Sequence, residues 1–150
     1  MRGTWSEIEP ASHRYEEAFS DDGGRTWKTA FSAKLTRIAA VAPAAQTVAH
    51  GNERDAGHEF DFDIGTWKTH SRRLLHPLSG SGEWAELDGV TRVSPVWGGR
   101  ANLAEVKVQG ATGPAVELLS LRLYNPKSRQ WSLNFANPKA GALGVPNVGQ

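Results

Sequence analysis

The chain predicts one all-β domain, an antiparallel up-and-down barrel of about eight strands. Apolar and polar residues alternate with period two in successive runs, turn-forming residues separate those runs, and helical periodicity is nearly absent. Six tryptophans and 16 glycines beside a single methionine suit aromatic strands joined by tight turns better than a bundle of helices.

The elements follow in order. An opening strand is read at 3–9, and a second around His13, Tyr15, Glu17 and Phe19. Trp27, Thr29, Phe31, Ala33 and Leu35 put small or apolar groups on one face of a third, with Lys28, Ser32 and Lys34 on the other. Ser20-Asp21-Asp22-Gly23-Gly24 between them tolerates positive φ and makes the pair a hairpin. Residues 39–57 hold few large apolar side chains and read as a linker. Further strands are expected at 66–75, 83–94, 101–109, 115–124 and 129–136, with turns at 77–82, 95–99, 110–113 and 125–128. The tail from Asn137 to Gln150, with two prolines and three glycines, is expected to wrap the surface.

Composition narrows the function classes. A chain of 150 residues buries roughly 70% of its unfolded surface and needs no staple. There are no cysteines, which excludes a disulfide framework and thiolate metal sites and makes the cytoplasm the expected compartment. Seventeen basic and 16 acidic residues are interspersed, so no nucleic-acid partner is expected. The first residues lack the apolar core of a signal peptide, and the most apolar stretch, Ile38 to Ala45, is broken by Pro43; no membrane association is expected.

Two motifs stand out. Ser20 to Trp27 fits S-x-D-x-G-x-T-W and resembles the Asp-box found at hairpin turns of sialidases and other β-propellers. One copy implies a structural turn, with Asp22 capping turn amides and Trp27 folding back over the hairpin. The second is Phe60-Asp61-Phe62-Asp63-Ile64-Gly65-Thr66-Trp67, which contains the G-x-W that opens the first strand of lipocalins and other calycins. With Glu83-Trp84-Ala85-Glu86-Leu87-Asp88-Gly89, Trp97-Gly98-Gly99-Arg100-Ala101-Asn102 and the hairpin Leu121 to Ser132, it resembles a bacterial family of uncharacterised calycin-like domains. Residues 3–37 resemble the closing segment of the same family. The order implies a circular permutation: a C-terminal-like hairpin at 1–38, the linker at 39–57, and N-terminal-like strands at 58–150. One glycine-rich hairpin of the family is missing, which leaves barrel closure open and makes a strand-swapped homodimer an expectation to test. The resemblance also implies that Trp67 closes the barrel floor against an arginine stem, supplied by Arg72, Arg73 or Arg37.

A barrel of this size holds one small ligand, so the expected function is small-molecule binding, with an apolar or aromatic ligand. Strand faces nominate the contacts: Trp84, Glu86 and Arg92 on one strand, Arg100 and Asn102 at a mouth, and Tyr124, Trp131 and Phe135 beyond. Glu86 and Arg92 either orient a ligand in the lumen or sit on a solvated outer face. Leu119, Leu121 and Leu123 are expected to look inward, opposite Arg122 and Tyr124. The alternative is an enzyme of the same fold using Glu86, Asp88 or Tyr124 as acid or base. No nucleophile elbow and no zinc spacing are present, and no cofactor is expected. His13 or His70 would be the haem ligand if there were one, and both are expected at the surface.

Overall fold

The computed structural model describes residues 1–39, 56–80 and 82–149. Most of the expected linker therefore lies outside the described residues. Among these described residues nine strands form one antiparallel sheet: β1 (Arg2–Glu9), β2 (Ser12–Phe19), β3 (Lys28–Ala39), β4 (Gly65–Leu74), β5 (Trp84–Val96), β6 (Ala101–Gln109), β7 (Val116–Asn125), β8 (Gln130–Ala136) and β9 (Asn147–Gly149). The spatial order is the sequence order, β1 to β9, each strand pairing with the next. The all-β, up-and-down architecture read from the sequence is the one observed. The tail differs from expectation: its residues 147–149 pair with Leu133 to Trp131 and add a ninth strand.

The sheet curls into a half-barrel, and β1 and β9 are its two edges. Both edges are irregular or short. On β1 the register slips between Ser6 and Glu9, where Glu7 takes a φ of 50°, and β9 is three residues long. Side chains alternate across the sheet, and the pairing carries the inward set from strand to strand. One rung runs from His13 through Leu35 and Thr69 to Gly89 and Val108. Gly89 is required there, because a β-carbon would collide with the Lys107 carbonyl. Ala33, Leu35, Trp67, Val93 and Ala104 form the buried apolar core on this concave side.

The expected arginine under Trp67 is Arg37. Its guanidinium lies 3.9 Å from the Trp67 ring centre, and its nitrogens donate to the carbonyls of Pro10 (2.8 Å), Phe62 (2.9 Å) and Ile64 (2.7 Å). Trp67 is fully buried, and its Nε1 donates to the Asp63 carbonyl at 2.7 Å. Together these bonds seat the 3₁₀ turn Asp61–Asp63 across one end of the half-barrel, which is its floor.

The Asp-box turn is built as its residues predict. Asp22 Oδ1 accepts from the amides of Arg25 and Thr26, each at 2.9 Å, and Oδ2 accepts from the Thr26 hydroxyl at 2.6 Å. These bonds, the Thr26 hydroxyl first, hold the Asp22 carboxyl well below the usual carboxylate range. Trp27 folds back and donates from Nε1 to the Gly24 carbonyl at 3.1 Å.

Candidate functional site

The concave side encloses a cavity of about 260 Å³. Phe31, Ala33, Leu35, Leu87, Ala104, Val106, Val108, Leu118, Leu133 and Phe135 supply apolar wall, and Trp5 stands at the β1 edge. Alternation produces this wall: β3, β6 and β8 each send every second side chain inward. Toward the mouth, Glu17, Phe31 and Arg73 share one rung of β2, β3 and β4.

The floor is polar. His13, Asp63 and Arg122 are 2%, 1% and 6% exposed, and all three line the cavity. Arg122 Nη1 bonds Asp63 Oδ2. His13 Nε2 lies 3.0 Å from Asp63 Oδ1, though off the hydrogen-bond line. Burial opposes the Asp63 charge, but the Arg122 guanidinium and the His13 ring outweigh it and hold the carboxyl below its ordinary value. The His13 ring is clasped edge-on by Trp67 at 4.4 Å and Phe62 at 5.3 Å. Phe60 fills the lower part of the gap between the sheet edges, 5.0 Å from Trp5 and 4.9 Å from Trp131, with the Arg122 guanidinium 5.1 Å from its ring. Among the described residues no ladder joins the two sheet edges, β1 and β9.

Higher on the wall, Tyr15 donates to Glu17 Oε1 at 2.8 Å, and the hydroxyls of Thr69 and Thr91 bond each other at 2.7 Å. Burial, and next the Glu17 carboxylate, push the Tyr15 phenol above its ordinary value, so it stays protonated. Ser120 lines the wall at 3% exposure, and its Oγ has no hydrogen-bond partner among the described residues.

The residues nominated from the sequence fall into two groups. Phe135 lines the cavity. Trp131 is buried behind Phe60, and Tyr124 packs on Trp131 at 5.5 Å. Asn102 is buried opposite Arg122 across the β6–β7 ladder, its amide without a partner among the described residues. Trp84, Glu86, Arg92 and Arg100 do not line the cavity. Arg72 stacks on Trp84 at 5.2 Å and reaches Glu86 at 3.5 Å on the convex face, where Asp88 also pairs with His70. Arg92 is exposed opposite Glu105, and Arg100 donates to the Trp97 carbonyl at 3.1 Å.

Two expectations are corrected. Leu119, Leu121 and Leu123 occupy the convex side of β7, and Leu118, Ser120 and Arg122 look inward. The reason is Asp63, which neutralises Arg122 and lets the charged face of the strand be the buried one. His13 is buried as well, its Nε2 3.0 Å from the same Asp63 carboxylate and its ring packed between Trp67 and Phe62. His70 is exposed, as expected. Sequence reasoning missed His13, Tyr15, Glu17, Asp63 and Arg122 as a group. Asp63 and Arg122 are 59 residues apart, and no spacing rule connects them.

No protein-family model, no curated protein and no solved structure matches this chain. Among the described residues, no helix is long and apolar enough to cross a membrane.

Proposed function

We propose that this chain is a small-molecule-binding, calycin-like protein that takes a compact, largely apolar ligand into its half-barrel. The observation that carries the reading is an apolar-walled cavity of about 260 Å³ that the side chains of the described residues leave unfilled. That volume exceeds the ~150 Å³ in which an engineered apolar cavity holds benzene, and it suits one or two rings or a short chain. An up-and-down sheet with an unpaired seam gives such a ligand a lateral way in.

A second reading, acid–base catalysis on a bound substrate, draws on the Tyr15–Glu17 pair inside the cavity. It is the weaker of the two. The Tyr15 hydroxyl is already spent on Glu17 and is pushed away from neutrality, whereas a general acid or base works best near the operating pH.

Native mass spectrometry of the purified chain tests the main reading. A co-purified small mass lost on mild denaturation, or uptake of an added one-ring apolar compound, supports it. A bare chain that takes up no such compound overturns it, and chemical conversion of the added compound moves the assignment to the enzyme. A dimer in the same spectrum supports completion of the barrel by strand exchange.

A further inference from the structure

We infer that the cavity floor recognises a neutral hydroxyl on the ligand, so that the ligand class is phenol-like: an apolar ring held by the walls, its hydroxyl directed at Ser120 and Arg122. This inference rests on the binding reading above and specifies what that site selects.

Three observations lead to it. Ser120 and Arg122 stand two residues apart on the inward face of β7, both more than nine-tenths buried and both lining the cavity. Ser120 Oγ and Arg122 Nε have no partner among the described residues, and His13 Nδ1, across the floor, has none either. Buried polar groups in folded proteins are almost always satisfied, so a cluster of unmet groups on one wall of an otherwise apolar cavity marks where a ligand's polar group completes the set.

Charge decides which polar group. The carboxylates and guanidinium groups that line the cavity are Glu17, Asp63, Arg73 and Arg122, two of each sign, with the His13 ring also beside Asp63, and Arg122 is already neutralised by Asp63. A carboxylate on the ligand would bring an uncompensated charge among apolar walls and beside Asp63, and an ammonium would meet the Arg122 guanidinium. A hydroxyl brings no charge. It accepts from Arg122 Nε and exchanges a hydrogen bond with Ser120, which either donates or accepts. The ring then lies against Leu118, Leu133 and Phe135, next to the floor.

The test compares 4-propylphenol, propylbenzene and 4-propylbenzoate on the full chain, with tryptophan fluorescence as readout because Trp5 borders the cavity. The expected result is that the phenol binds about tenfold tighter than propylbenzene, the worth of roughly one hydrogen bond, and that the benzoate binds more weakly than either. In Ser120→Ala the phenol affinity falls toward that of propylbenzene, and propylbenzene itself is unaffected. Equal binding of phenol and propylbenzene would leave the cavity a binding site and overturn the hydroxyl selectivity. Tightest binding by the benzoate would overturn it in favour of an anion site. No binding by any of the three would overturn the binding reading along with it.

Discussion

The imidazole of His13 sits 3.0 Å from the carboxylate of Asp63, and both side chains are almost wholly buried at the floor of the half-barrel. Arg122 reaches the other oxygen of the same carboxylate, so one acidic group from the 3₁₀ turn joins β2 to β7 across the concave side. Removing it strands a buried guanidinium. Asp63→Ala is expected to cost about 3–5 kcal/mol in urea unfolding, the range for breaking a buried ion pair by deleting one partner. A loss under about 1 kcal/mol would show that water already solvates Arg122.

The same carboxyl sets an acid limb to stability. Its value is lowered in the folded state, so the unfolded chain binds the proton more readily as pH falls. The Asp63 contribution is therefore complete above the unfolded carboxyl value of about 4 and is lost as pH drops below it. Urea midpoints measured between pH 7 and pH 3 should show this fall, and Asp63→Asn should flatten it. An unchanged slope in the variant would assign the acid limb to other carboxyls.

Tyr15 sets the alkaline limb in the opposite sense. Its phenol is raised in the folded state, by burial first and by Glu17 second. The unfolded chain releases that proton once pH passes about 10, while the folded chain keeps it, so stability falls above that pH. Tyr15→Phe removes this dependence. Absorbance titration at high pH gives a direct check, because Tyr15 is one of only two tyrosines and should ionise only as the fold is lost.

Arg37 anchors the floor through geometry that a point charge does not reproduce. Its planar fork serves three carbonyls while its face covers Trp67. Arg37→Lys keeps the charge and loses the fork, and is expected to destabilise by about 2 kcal/mol or more in urea or thermal unfolding. A neutral outcome would mean that the floor turn is held by the Trp67 to Asp63 bond alone.

Binding and stability separate on the cavity wall. Val106→Trp fills the space from β6, where Val106 is half-buried, and is expected to lower affinity for a one-ring apolar probe at least tenfold while the chain stays folded by circular dichroism. Glu86→Gln and Arg92→Gln lie on the convex face, and should leave that affinity unchanged with stability shifts within about 0.5 kcal/mol. Loss of probe binding in either convex-face variant would place the ligand outside the cavity.

Strand positions were legible because alternation and turn chemistry are local. The read strand at 101–109 is β6 to the residue, and Trp27 and Asp22 behave as their motif implies. Which face of a strand looks inward is a different matter, since two interleaved half-strands compete and tertiary charge pairing decides between them. On β5 the larger side chains, Trp84, Glu86 and Arg92, lie outside, while Leu87, Thr91 and Val93 lie inside. On β7 three leucines lost the interior to a serine and an arginine, because a partner 59 residues upstream satisfied the arginine. The ninth strand was hidden by its length, since three residues after Pro146, the last of them a glycine, carry no detectable period.

Because spatial order follows sequence order, nearly every ladder joins segments separated by a short turn. Loop-closure entropy is then modest at each step, and the sheet grows by adding one hairpin to the last. The exception is the β3–β4 ladder, whose strands end at Ala39 and begin at Gly65. That single longer closure also assembles the floor, since Arg37 on one side and Trp67 on the other meet only when it forms. The longest closure in the sheet thus falls on the residues that seal the bottom of the cavity, so that the cavity floor and the β3–β4 ladder form together.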